Sequence, residues 1–248
     1  MTSAIAVPRS HAIADLPWTA VAAHLAGDRR LIVPVGSCEQ QGPHLPVGAA
    51  TTLAERLADD LSREFGVLRA PTLHYGVNPR SEREYAGAAG VSGKTLHRAL
   101  NELVADWACQ GVREFVFITA STHDPHAEAV ATVRAEGARV RVVSALSVDL
   151  AQFLDGEKGP EHAGEALTSL LLHLRPAVVR MDRARDFVLQ PGDPCVVGRE
   201  RKLPDASPGS VGQPTLAGAE KGRKMYEHIL QKIRNKVFIA PPADEEEE

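Results

Sequence analysis

The stretch LIVPVGSCEQQGPHLPVGAATT, Leu31 to Thr52, changes pattern twice. Leu31–Val35 is an unbroken apolar run, short enough to be one buried strand. Gly36, Ser37 and Cys38 then turn the chain into a polar loop carrying Glu39, Gln40, Gln41 and His44, which Gly and Pro residues bend or stiffen. From Thr51 the pattern becomes helical, with Leu53, Ala54, Leu57, Ala58 and Leu61 at three- and four-residue spacing. A strand feeding a polar loop feeding a helix is how open α/β folds present functional groups at the carboxyl ends of their strands.

Outward from this stretch the same alternation continues. Asp15-Leu-Pro-Trp opens a short helix with Val21, Ala22 and Leu25 on its inner face, ended by Gly27-Asp28. After the second helix, which reaches about Phe65, Val67–Leu73 reads as a strand and His74–Val91 as a Gly-rich loop. Thr95–Gln110 is amphipathic through Leu96, Leu100, Leu103, Val104 and Trp107, with Gly111 placed to end it. Glu114–Ala120 is β-branched and aromatic, hence a central strand. His126–Glu136 reads as helix, Ala138–Leu146 as strand, His162–Leu174 as helix, Ala177–Met181 as a short strand, and Leu216–Ile233 as a final helix. Residues 182–214 hold many Pro and Gly and read as loop. The expectation is an α/β chain: a single layered domain with a mostly parallel central sheet and helices on both faces. It would span residues 15–239, between a flexible N-terminus (1–14) and a disordered tail (240–248) that ends in four Glu.

Composition narrows the function classes. With 248 residues the chain has ample length for a sizeable core. A formal charge of -4 gives no reason to expect a nucleic-acid or anionic-membrane partner. No run is apolar for the roughly 20 residues a membrane span needs, and residues 1–15 make a poor signal peptide. The three Cys are far apart and show no C-x-x-C, arguing for a reducing compartment and against a disulfide framework or thiolate zinc site. The expectation is a cytoplasmic protein.

The opening stretch also resembles the signature of the creatininase family (creatinine amidohydrolase and relatives), P-x-G-S-x-E-Q-H-G-P-H-L-P-L-x-T-D. Pro34, Gly36, Ser37, Glu39, Gln40, Gly42, Pro43, His44, Leu45 and Pro46 match it. Further motifs follow in order: Tyr75-Gly76 with Gly87-Ala-Ala-Gly-Val-Ser, then His162-Ala-Gly-Glu-Ala-Leu-Thr-Ser, then Val211-Gly-Gln-Pro-Thr-Leu-Ala. The resemblance covers residues 15 to 233. It implies an α/β layered domain, a homohexamer, and two divalent metals that activate a water and polarise an amide carbonyl.

At the positions that would hold those metals the chain departs from the pattern. Glu39 stands at the first Glu ligand. Gln41 replaces a ligand His, Ala50 the bridging Asp, Ser121 a ligand His and Leu167 the Glu of H-A-G-x-x-E. Two cations without their bridging anion repel each other in a low-dielectric site, so the normal dinuclear centre is not expected. Ser121-Thr-His-Asp-Pro-His does place two His and one Asp in one loop after a central strand. Glu39, His123 and Asp124 are therefore candidate ligands of one relocated divalent ion (Zn, Mn or Fe), and Glu39, His123 and His126 candidate acid/base residues. The competing reading has Asp124 capping a helix, Pro125 as its first residue, and the His residues bonding backbone groups.

Other positions carry their own alternatives. Gln41, His44, Ser121 and Glu84 are candidate substrate contacts, although His44 suits a turn-holding role equally. Glu82 and Glu84 lie where the family loop reaches over its substrate. Cys38 with His44 as base is a candidate nucleophilic pair, against a packing role for the Cys. His162 and Glu165 suit a helix start. Two function classes follow. One is an amidohydrolase acting on a small cyclic amide or formamide through a rebuilt site. The other is a non-catalytic creatininase-fold protein serving as scaffold or partner of an active paralogue. Both expect a small-molecule ligand and a homo- or hetero-oligomer.

Overall fold

The computed structural model describes residues 11–156, 158, 161–190 and 203–239. Four strands run parallel in the order β2-β1-β3-β4. They are β1 (Arg30–Val35), β2 (Leu68–Arg69), β3 (Glu114–Thr119) and β4 (Arg139–Ser144). Parallel neighbours need crossovers, and helices supply them: α2 (Ala49–Phe65) joins β1 to β2, α3 (Gly93–Cys109) joins β2 to β3, and α4 (Asp124–Ala131) joins β3 to β4. Two-residue periodicity then divides the central strands between two cores. Ile32, Val116 and Ile118 face a cluster built with α2, α5 (Glu165–Leu174) and α6 (Ala219–Ile233). Leu31, Val33, Val35, Phe115 and Phe117 face a cluster built with α1 (Trp18–Leu25), α3 and α4. Because both faces are covered, Leu31–Val35 is continuously apolar.

Several elements differ from their sequence-based extents, each for a local reason. β2 is only two residues long because Pro71 cannot donate to the ladder; pairing resumes at Leu73, whose N–H donates to the Pro34 carbonyl at 3.1 Å. α4 stops at Ala131 rather than Glu136, where Thr132 Oγ1 donates to the Glu128 carbonyl at 2.7 Å. Its N-cap is His123, so Asp124 is a first-turn residue rather than the cap. Ala177–Met181 forms no strand: Pro176–Val178 and Met181–Arg183 are 3-10 turns. His162 lies ahead of α5, in an antiparallel bridge to Val211. Residues 11–14, read with the flexible end, contact β2 through the Arg69 N–H and the His11 carbonyl at 3.0 Å. Residues 1–10 and 240–248 lie outside the described residues, as does the stretch 191–202 of the Pro/Gly-rich loop.

This topology fixes where a site can be. The chain leaves β1 toward β2 on one side, while β3 occupies the other, so the strand order reverses between β1 and β3. Val35 pairs with Thr119, and the loops starting at Gly36 and Ala120 leave the same sheet end side by side. Gly36 is required there by a close approach: a Cβ would collide with the Thr51 side chain. That side chain stitches the start of the loop to α2. Ser37 N–H donates to Thr51 Oγ1 at 2.9 Å, and Thr51 Oγ1 donates to the Ser37 carbonyl at 2.7 Å.

Candidate functional site

The loop after β1 is buried and internally bonded. Glu39, 1% exposed, receives hydrogen bonds at Oε1 from Ser37 Oγ at 3.2 Å and Gln41 Nε2 at 2.8 Å. An ionised carboxylate only accepts, so this contact sets the orientation of the Gln41 amide: its NH2 faces Glu39 and its Oε1 faces away. Gln41 Oε1 is itself buried and has no hydrogen-bond partner. Gln40 turns the other way. Its Oε1 accepts from Gly42 N–H at 2.9 Å, and its Nε2 lies 2.9 Å from His162 Nε2.

The histidines divide by environment. His126 is fully buried, with Val77 N–H donating to Nδ1 at 3.2 Å, so the neutral ring carries its proton on Nε2 and donates to Thr119 Oγ1 at 2.9 Å. Burial, and then the charge of His123, push its pKa down to about 4. Gly76 backs onto the ring so closely that any Cβ would strike it. His126 thus ties the loop after β2 to the end of β3. His44 contacts Thr168 Oγ1 of α5 through Nε2 at 2.8 Å, while its Nδ1 is buried without a partner. Burial lowers its pKa to about 4. Ser121 holds the start of α4, its Oγ accepting from His123 N–H at 3.3 Å.

Two cavities flank the sheet end. One, of about 350 Å³, is lined by Glu39, Gln41, His162, Glu161 and Leu167, among others. The other, of about 810 Å³, lies under the loop 77–93 and is lined by His123 and Pro125. The candidate residues are therefore not brought together: Glu39 and Gln41 line the first cavity and His123 the second. Asp124 is exposed at the start of α4, and Glu84 is exposed in a separate hollow with Gln40. Cys38 and His44 form no recorded bond; Cys38 Sγ donates to the Gly87 carbonyl at 3.3 Å.

His162 and Glu161 are the lining residues that sequence reasoning set aside or missed. The H-A-G motif marks His162. Glu161 is visible in sequence only as an acid ahead of a helix, and it accepts from Glu165 N–H at 2.8 Å and Ala166 N–H at 3.2 Å. Glu165 in turn accepts from Asp155 N–H at 3.0 Å and Gly156 N–H at 2.9 Å, and pairs with Lys221. These carboxylates hold backbone.

The donor set does not fit a metal centre. Among the described residues no three His, Cys, Asp or Glu side chains gather to hold an ion. Where a bridging carboxylate would be needed, Ala50 is buried in the core, and Leu167 presents hydrocarbon to the cavity. A side-chain amide lies against the one carboxylate retained from the signature.

Comparison with known proteins gives these departures their context. The chain is 30% identical over 221 residues to a mycofactocin precursor peptide peptidase of Mycobacterium tuberculosis, covering 79% of each chain. It is 24% identical over 248 residues to the creatinine amidohydrolase of Pseudomonas putida, covering 91% of this chain and 95% of that one. Its fold superposes on a creatininase complexed with creatine at a TM-score of 0.78, with 25% identity over 92% of this chain and 99% of that one. A creatininase of Zn-Zn type superposes at 0.77. The family described as creatinine amidohydrolase matches residues 14–237. An amidohydrolase-like α/β layered domain with the signature loop at its strand-order reversal is what these similarities share, and the chain belongs to the creatininase family.

Proposed function

We propose that this chain is a creatininase-fold protein that works without a metal, binding a small ligand in the cavity beside Glu39 rather than performing two-metal amide hydrolysis. One observation carries the reading: Gln41 Nε2 donates to Glu39 Oε1 at 2.8 Å within the buried signature loop. A metal-binding carboxylate offers its lone pairs to a cation. Here a neutral amide and the Ser37 hydroxyl take that place, and the groups that would complete a cage are Ala50 and Leu167. The scaffold positions persist, in Gly36 against Thr51 and Gly76 against His126.

The relatives' names speak of a peptide and of an amide, so a small amide or a peptide fragment is the ligand class in best accord with descent. Assembly with copies of itself, or with a catalytically competent paralogue, accords with a protein that keeps the fold and binds without turnover. We place it in the cytoplasm, in keeping with the free thiols of Cys38 and Cys109. No helix among the described residues is long and apolar enough to cross a membrane. A second reading, hydrolysis of a cyclic amide by metal-free acid/base chemistry, draws on one observation: Glu39 and His162 line the same cavity.

The test is turnover of creatinine and of short peptide amides, with and without added Zn or Mn. No turnover above that of Glu39→Ala supports a binding role. Metal-dependent turnover abolished by Glu39→Ala refutes it. Metal-independent turnover lost in both Glu39→Ala and His162→Ala establishes the second reading.

A further inference from the structure

The cavity beside the signature loop contains an unanswered hydrogen-bond acceptor. Gln41 lines it, is 3% exposed, and has an Oε1 with no partner, while its NH2 is committed to Glu39. A buried carbonyl oxygen without a donor costs free energy that a ligand N–H would recover. The amide cannot simply turn over to satisfy itself, because its oxygen would then face the Glu39 carboxylate. The acceptor is thus fixed by its neighbour, and what it lacks is a donor.

The rest of the lining defines what would carry that donor. Leu146, Val148, Leu150, Leu154 and Leu167 offer hydrocarbon. Asp149, Glu39 and Glu161 bring carboxyl groups, against Lys158 as the one Lys or Arg among the described lining residues. That balance favours a cation over an anion. A volume of about 350 Å³ suits a compact molecule. A metal ion would want a cage of anionic ligands, whereas an ammonium wants neutral and anionic oxygen acceptors in hydrogen-bond geometry, and Gln41 Oε1 is one.

Resting on the reading of the site as metal-free, we propose that this cavity binds a primary ammonium carried on a compact apolar body, with one N–H donated to Gln41 Oε1 and the hydrocarbon seated against Leu146, Leu154 and Leu167.

The experiment titrates the full chain by calorimetry with three probes sharing one body: cyclohexylmethylammonium, its N-trimethyl analogue, which keeps the charge but has no donor, and cyclohexanecarboxylate. The expected result is that the primary ammonium binds at least tenfold more tightly than the trimethyl analogue and the carboxylate does not bind. In Gln41→Leu, the advantage over the trimethyl analogue is expected to vanish. Leu167→Phe, which fills the cavity from α5, should weaken both cations. Equal binding of the two cations by the wild-type chain, binding of neither, or preference for the carboxylate overturns the proposal even if the variants fail to fold. Metal content of the same samples separates the two levels. A metal-free protein without ammonium preference defeats this proposal alone, whereas a stoichiometric metal defeats the reading beneath it.

Discussion

Lowering the pH from 7.5 to 5.0 should destabilise this protein through two buried histidines, by an amount the structure lets us work out. Burial holds the pKa of both His44 and His126 at about 4, against 6.5 in the unfolded chain. A His depressed by folding is protonated preferentially when unfolded. Its contribution is therefore intact above about pH 6.5 and is lost as pH falls toward 4. At pH 5.0 the linkage relation gives a loss of about 2 kcal/mol per histidine, so about 4 kcal/mol for the pair. Glu161 acts in the opposite sense: burial raises its pKa, so the folded state gains protons on acidification and recovers part of the loss. The assay is urea unfolding at both pH values on the wild type, His126→Gln and His44→Gln. Glutamine removes the titration, so each variant should start less stable at pH 7.5 yet lose about 2 kcal/mol less on acidification. If the variants keep the whole of the wild-type pH dependence, the attribution to these rings is wrong.

Further outcomes follow from packing. Gly36→Ala should cost about 3 kcal/mol or more, because its Cβ would meet Thr51, and adding Thr51→Ala should recover part of it; thermal unfolding of both variants checks this. Lys221→Met should cost about 3 kcal/mol by stripping a cation from Glu165, which is 1% exposed. The double variant Lys221→Met with Glu165→Gln should cost less than that single change, as a denaturant series would show. Tyr226→Phe, which loses the 2.6 Å hydrogen bond to Asp60, should cost about 1 kcal/mol by the same measurement.

The fold was legible because its signals are periodic and local. Leu31–Val35 could only be a strand covered on both faces, and Leu53, Leu57 and Leu61 could only be one side of a helix. The misplaced edges come from single side chains acting on backbone: Pro71 interrupting β2, and Thr132 bonding back at the end of α4. The substitutions Gln41, Ala50 and Leu167 were legible from the motifs alone. Their consequence was not, since it lies in which atoms meet. Gln40 and His162 touch across 122 positions, and His44 and Thr168 across 124. His123 and Glu39, similar in promise on paper, line different cavities because one follows β3 and the other β1. His126 combines a motif-like spacing with two occupied nitrogens, which only the packing of Gly76 and Val77 against it reveals.

The central claim is that a hydrogen-bonded amide and hydrocarbon now occupy the positions of a cation cage. Metal content tests it most directly: purify the chain, incubate it with Zn, Mn and Fe(II) in turn, desalt, and count ions per chain by mass spectrometry. The account expects far less than one ion per chain, unchanged in Glu39→Ala. One or two ions per chain, lost in Glu39→Ala, would contradict it.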